Sequence, residues 1–347
     1  MAVYSKFLSS AILATTLAAT THAEDANPEP EQHVTVQATQ STAAVRRQDT
    51  ISEAAAVYGT FQHDVSDVRN KPLSSASDID TALENLGGHN AGKLSTGWLA
   101  YSALVASQNP EFRDAVRDIE GFYGRDRVMT GLRNDMGYAR TLGGAGSAIS
   151  SALTATEADS KRLSSAAAYV KEQAYTLQGT GWAKARISDA NGMAAQLNNA
   201  NRLGRATNSN VMQALHSPTI DTALVQAGGG GAPSLWDGAI DAASGIQFPS
   251  LRRPSLTVQQ QNIRRGKEQI ADRIATLAAY RVIGIDNRTA GQLSTAMSDT
   301  ETSSCIRRSQ LNLQQCVAAS YKQYELPYCL SEHALQDVGE CIGDVTN

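Results

Sequence analysis

All four cysteines of this 347-residue chain, Cys305, Cys316, Cys329 and Cys341, fall within its last 43 residues. An even, clustered set of this kind reads as two disulfides formed in an oxidising compartment. Their intervals of 11, 13 and 12 residues do not make the close C-x(2–4)-C pairs of a structural zinc site, so no metal is expected. The pattern around them is a helix over 303–324, an interruption at Pro327, and a second short helix over about 330–338 before Gly339. Cys305 and Cys316 then share a face about 16.5 Å apart, far beyond the roughly 7 Å that a disulfide spans between Cα atoms. Pairing each with the opposite helix leaves a concentric scheme, Cys316–Cys329 inside Cys305–Cys341, folded about Glu325-Leu326-Pro327. A crossed scheme fits an antiparallel hairpin poorly. Cys329 and Cys341 miss a common face by about 120° on a regular helix; departure from the helix at Gly339 is the expected remedy. The inner bond should contribute about 3 kcal/mol through loop closure.

The other end of the chain reads as a targeting segment. Lys6 precedes a weakly apolar run from Phe7 to Ala19, and small residues close it at Thr21-His22-Ala23, so residues 1–23 are expected to be a secretory signal. No lipid-attachment cysteine follows. Removal would shift the formal charge from −4 to −5, because one lysine and no acid would leave. Residues 24–48 begin with four acids and two prolines between Glu24 and Gln32 and contain few large apolar groups. They are expected to be an extended or disordered tail. Its one alternating stretch, Val34-Thr35-Val36-Gln37, lacks a sheet edge in a helical chain, which leaves disorder or strand addition to a partner through Val34 and Val36.

The body between these ends is alanine-rich and almost without strand pattern. Ile51, Ala55, Tyr58, Phe61 and Val65 trace a helix over 49–69, and further short helices carry Leu94, Trp98, Tyr101 and Val105, then Phe112, Val116 and Ile119. These predict a short-helix lobe over 49–140. From 147 the apolar steps lengthen into a heptad-like seam: Ile149, Leu153, Thr156, Ser160, Leu163, Ala167, Val170, Ala174 and Leu177. Similar stretches over 182–215 and 258–297 complete three expected long helices. The predicted fold is therefore all-α: an elongated antiparallel bundle over 147–299, joined to a disulfide-linked hairpin over 303–343. The bundle is interrupted at 228–257, which opens with the run Gly228–Gly231 and carries three prolines, yet this stretch also holds Trp236 and Phe248. So apolar a loop either packs back on the bundle or docks on a partner.

Hydrophobic residues make up 41% and charged residues 18%, with 30 Lys and Arg against 34 Asp and Glu, which gives no electrostatic footprint for nucleic acid. No histidine pair has metal-ligand spacing, and His63-Asp64 reads as a solvated helix surface. Gly143-Gly144-Ala145-Gly146 lacks the Lys-Ser/Thr of a phosphate loop and reads as a break between helices. No cofactor and no catalytic residue is expected. The one catalytic route is a carboxylate pair among Glu111, Asp114, Asp118 and Glu120, although Arg113 and Arg117 alternate with them. Two functions follow as expectations. The first is an exported, periplasmic or secreted, structural or assembly protein of a bacterial envelope machine, acting through contacts with other envelope proteins or copies of itself, with no membrane span after signal removal. The second is a periplasmic hydrolase of cell-wall glycan.

Overall fold

The fold is organised around one helix that is buried on every side. In the computed structural model, which describes residues 49–229, 234–237, 240–241, 245–246, 261–284 and 290–346, that helix is α3 (Ala91–Ala106). Leu94, Trp98, Tyr101, Leu104 and Val105 point in several directions from it and are all buried. A helix apolar around its whole circumference belongs inside a protein. Around it pack α1 (Thr50–Asn70), α6 (Ala145–Leu177), α10 (Glu268–Ile283) and α12 (Thr300–Ala319). Before the C-terminal return arm, the other α-helices are α2 (Ala76–Gly87), α4 (Pro110–Tyr123), α5 (Arg125–Asn134), α7 (Ala190–Leu203), α8 (Ser209–Leu215), α9 (Ile220–Ala227) and α11 (Ala290–Met297). The predicted all-α bundle is present, and one core runs through the stretches 49–140, 147–299 and 303–343 alike. Among the described residues the strands are two-residue pieces, Ile240–Asp241 paired with Gly245–Ile246.

Helix α6 carries the small-residue seam as read from its spacing. Ile149, Leu153, Thr156, Leu163, Ala167, Val170, Ala174 and Leu177 are buried, and the half-buried Ser160 donates through its hydroxyl to Gly339 O at 2.8 Å. The other two expected long helices are shorter. The stretch over 182–215 contains a 3-10 turn (Trp182–Lys184), α7 and α8, and 258–297 contains α10 and α11. Gly204 and Gly284 end α7 and α10 with φ of 76° and 84°, a left-handed backbone that costs a glycine little and terminates a helix. Asp189 and Asn208 restart the chain by accepting from Gly192 N at 2.8 Å and Asn210 N at 2.9 Å. Apolar spacing survives across such breaks, and for that reason it overestimated helix length.

The C-terminal hairpin has the concentric disulfides, Cys305–Cys341 and Cys316–Cys329, with Cα separations of 5.7 and 5.6 Å. Its return arm does not leave helical geometry at Gly339. It runs as α13 (Glu325–Cys329), a π-helix (Leu330–Gln336) and α14 (Asp337–Gly343) without interruption. A π-helix advances roughly 82° per residue against about 100° for an α-helix. Seven such residues bring the rotation from Cys329 to Cys341 to roughly three whole turns, and the two sulfurs face α12 together. The π segment, rather than Gly339, removes the 120° mismatch. Gly339 serves a different purpose: a Cβ there would lie 3.1 Å from Leu163 Cβ, so its absence admits α14 close against α6. At the hairpin turn, Ile187 N donates to Tyr321 O at 3.0 Å and Tyr324 N to Ala183 O at 3.1 Å, tying the turn to the segment before α7.

Candidate functional site

Between α2 and α7 the surface opens into a cavity of about 570 Å³. Its apolar floor is Leu83, Ile187 and Leu197, with the half-buried Met193 beside them. Asp80, Glu84 and Asp189 stand exposed on its rim, and no lysine or arginine among the described residues lines it. Gln323 closes one end with its Oε1 buried and without a hydrogen-bond partner. Local sequence builds both walls. Ser75 caps α2 by accepting from Asp78 N at 3.2 Å, while Asp189 caps α7 and is itself a rim residue.

Buried polar contacts hold those walls in place. A Cβ on Gly87 would lie 2.7 Å from Leu197 Cδ2, so any larger residue at the end of α2 would have to displace that leucine methyl. Asn201 on α7 donates to Gly87 O and, at 3.0 Å, to His89 O. Beneath them Asp64, 1% exposed, accepts from Arg205 Nη2 at 3.1 Å and lies 2.8 Å from His89 Nε2. Asp64 is therefore not on a solvated surface, as His63-Asp64 suggested. Its partners are 25 and 141 residues away, and only the fold brings them to it.

A second polar cluster lies at the centre of the bundle. Asp159 on α6 is 0% exposed and accepts from Tyr58 Oη at 2.9 Å, Trp236 Nε1 at 3.2 Å and Ser234 Oγ. One turn on, Arg162 donates to Gln62 Oε1 at 2.7 Å, Ser66 Oγ at 2.5 Å and Trp236 O at 3.3 Å. Burial pushes the Asp159 carboxyl up to about 6, against the pull of its donors and of Arg162; burial likewise raises the Tyr58 and Tyr101 phenols. The Trp236 ring packs 5.4 Å from Tyr101 and 6.3 Å from Tyr58. Trp236 is thus a core residue of its own chain, 2% exposed, and not a free contact for a partner. Its indole N–H and its carbonyl are both used to pin 234–237 against α6. The other expected contact residues, Val34, Val36 and Phe248, lie outside the described residues, as do the ranges 1–23 and 24–48.

The acids of α4 are not brought together around a cavity. Glu111, Asp114 and Asp118 are exposed, and Glu120 pairs with Arg117 at 2.9 Å and Arg125 at 3.4 Å. Past them, Phe122 and Tyr123 protrude at the α4–α5 turn, 81% and 50% exposed. Among the described residues no group of His, Cys, Asp and Glu could hold a metal ion, and no helix is long and apolar enough to cross a membrane. No family model matches the chain, and neither a curated protein nor a solved structure is significantly similar to it.

Sequence reasoning missed Asp64, His89, Asp159 and the α2–α7 cavity. Asp159 and Arg162 left one local trace: an acid and a base one turn apart, beside a seam of small residues. The Asp80 and Glu84 pair also had a signal, an acidic i, i+4 repeat flanking the apolar Leu83.

Proposed function

We propose that this protein is an exported assembly component of the bacterial cell envelope, and that it grips a partner protein in the α2–α7 cavity. The observation that carries this reading is the cavity's composition among the described residues: an apolar floor, three rim carboxylates and no cation. That combination suits one occupant, an amphipathic segment presenting apolar side chains flanked by lysine or arginine. Export is supported by the signal-like residues 1–23 and by the two disulfides, which persist where thiols are not kept reduced. The stapled hairpin supports the same site, because its turn binds the 183–187 segment and supplies Gln323.

Glycan hydrolysis has less support. A hydrolase needs two carboxyls about 5–9 Å apart across a sugar, one of them available to donate a proton. Glu120 is neutralised by arginines, and Asp159, whose carboxyl lies near 6, has both oxygens engaged by internal donors. The proposed activity is contact rather than catalysis.

The test is the mass of the native particle after mild extraction from the envelope. The protein should migrate in a complex larger than its own 36.8 kDa, and Asp80→Lys with Glu84→Lys should release it as a monomer with unchanged helicity. A native monomer, or a double variant that keeps the full complex, would overturn the proposal.

A further inference from the structure

On a neighbouring face of α7 lies a second cavity, of about 320 Å³, whose chemistry differs from the first. It is formed where α7 meets α12, and its lining is amide and guanidinium in place of carboxylate: Asn198, Arg202, Arg307, Gln310 and Gln314, with the exposed side of Leu311. The two glutamines are oriented by the protein. Gln310 Nε2 donates inward to His89 O at 2.5 Å, and Gln314 Nε2 donates to Asn201 Oδ1 at 2.8 Å. Asn201 is itself held by Gly87 and His89, so these amides form one ladder rooted in the buried α2–α3 turn. With their nitrogens engaged inward, both glutamines keep carbonyl oxygens that are left to accept.

The arginines complement them. Arg202 and Arg307 come from facing helices, both are exposed, and neither has an ion pair or hydrogen bond among the described residues. Guanidinium groups bind carboxylates through two parallel N–H donors, a geometry lysine does not offer. The cavity thus combines two amide acceptors, which suit hydroxyl donors, with two unclaimed cationic forks, which suit an anion. Leu311, 49% exposed, adds an apolar surface for the C–H face of a ring. A neutral sugar would leave the arginines unused, and a bare inorganic anion would leave the glutamine oxygens unused.

We infer that the α7–α12 cavity binds an acidic saccharide, a ring bearing both hydroxyls and a carboxylate. The site is independent of the carboxylate-rimmed cavity on the other face of α7. Nothing in it is arranged for bond cleavage, so the inference is binding alone.

The experiment titrates the disulfide-intact protein with trigalacturonate, with a neutral maltotriose of equal length, and with inorganic phosphate, followed by calorimetry at low salt. Trigalacturonate should bind at least tenfold more tightly than maltotriose or phosphate, and should weaken as salt is raised. Arg202→Glu with Arg307→Glu should abolish binding while leaving the unfolding midpoint unchanged, because neither side chain has a partner to lose. Asp80→Lys with Glu84→Lys should leave this binding unchanged, which separates the two sites. Equal affinity for maltotriose, equal affinity for phosphate, undiminished binding by the double glutamate variant, or no binding of trigalacturonate would each overturn the inference.

Discussion

Asp64 and Asp159 are both buried carboxyls, 1% and 0% exposed, but the protein satisfies them by opposite means. Asp64 faces a cation, Arg205, and the imidazole of His89. Asp159 faces three neutral donors, Tyr58, Ser234 and Trp236, with Arg162 acting one turn away. Neutral donors satisfy lone pairs without repaying the full cost of removing a charge from water. Burial among these neutral donors holds the Asp159 carboxyl up to about 6. The two sites also join different things. Asp64 on α1 fixes two non-helical stretches beneath the proposed docking cavity, the α2–α3 turn through His89 and the chain leaving α7 through Arg205, whereas Asp159 on α6 fixes Tyr58 of α1 and the segment 234–237.

The largest effect should come from breaking the ion pair. Arg205→Ala leaves Asp64 buried with only His89 beside it and should cost about 3–4 kcal/mol, the lower part of the range for a broken buried pair because Arg205 is partly exposed. Urea unfolding at neutral pH measures it, and a loss below about 1 kcal/mol would show that Asp64 does not depend on its cation.

Next comes a pH effect centred on Asp159. Its folded value of about 6 exceeds the 3.8 of an unperturbed aspartate, so the native state binds more protons between those pH values. Stability therefore falls as pH rises from about 4 through 6, by at most about 3 kcal/mol from this group alone, and is flat above it. Asp159→Asn should remove this slope from a series of urea midpoints. A slope that persists in the variant would assign it to another group.

A smaller change tests the tether itself. Ser234→Ala removes one of the three neutral donors and should cost about 1 kcal/mol. Its specific signature should be faster amide exchange at 235–237 with α6 protection unaltered. Uniformly faster exchange would mean that the segment and the bundle open as one unit.

Local pattern carried much of the architecture. The α6 seam, the helix over 49–69 and the concentric disulfides follow from spacing alone, because helical periodicity and chain reach act over a few residues. Helix ends were also written locally, in Asp189, Asn208, Gly204 and Gly284, but apolar spacing that continued past them concealed the breaks. The sites were much less legible. The partners of Asp64 lie 25 and 141 residues from it, and those of Asp159 lie 75 to 101 residues from it. No local rule relates residues at such distances.

The amino-acid sequence by itself determined that this chain is helical and that its last helices are stapled in a concentric pair. Those properties depend on side-chain period and on how far a backbone reaches. Tertiary structure alone decided which acids are buried, that Trp236 turns inward, and that α7 stands between a carboxylate-rimmed cavity and an arginine-lined one. It also decided the π segment that puts Cys329 and Cys341 on one face, because the i→i+5 pattern there follows from no local spacing rule.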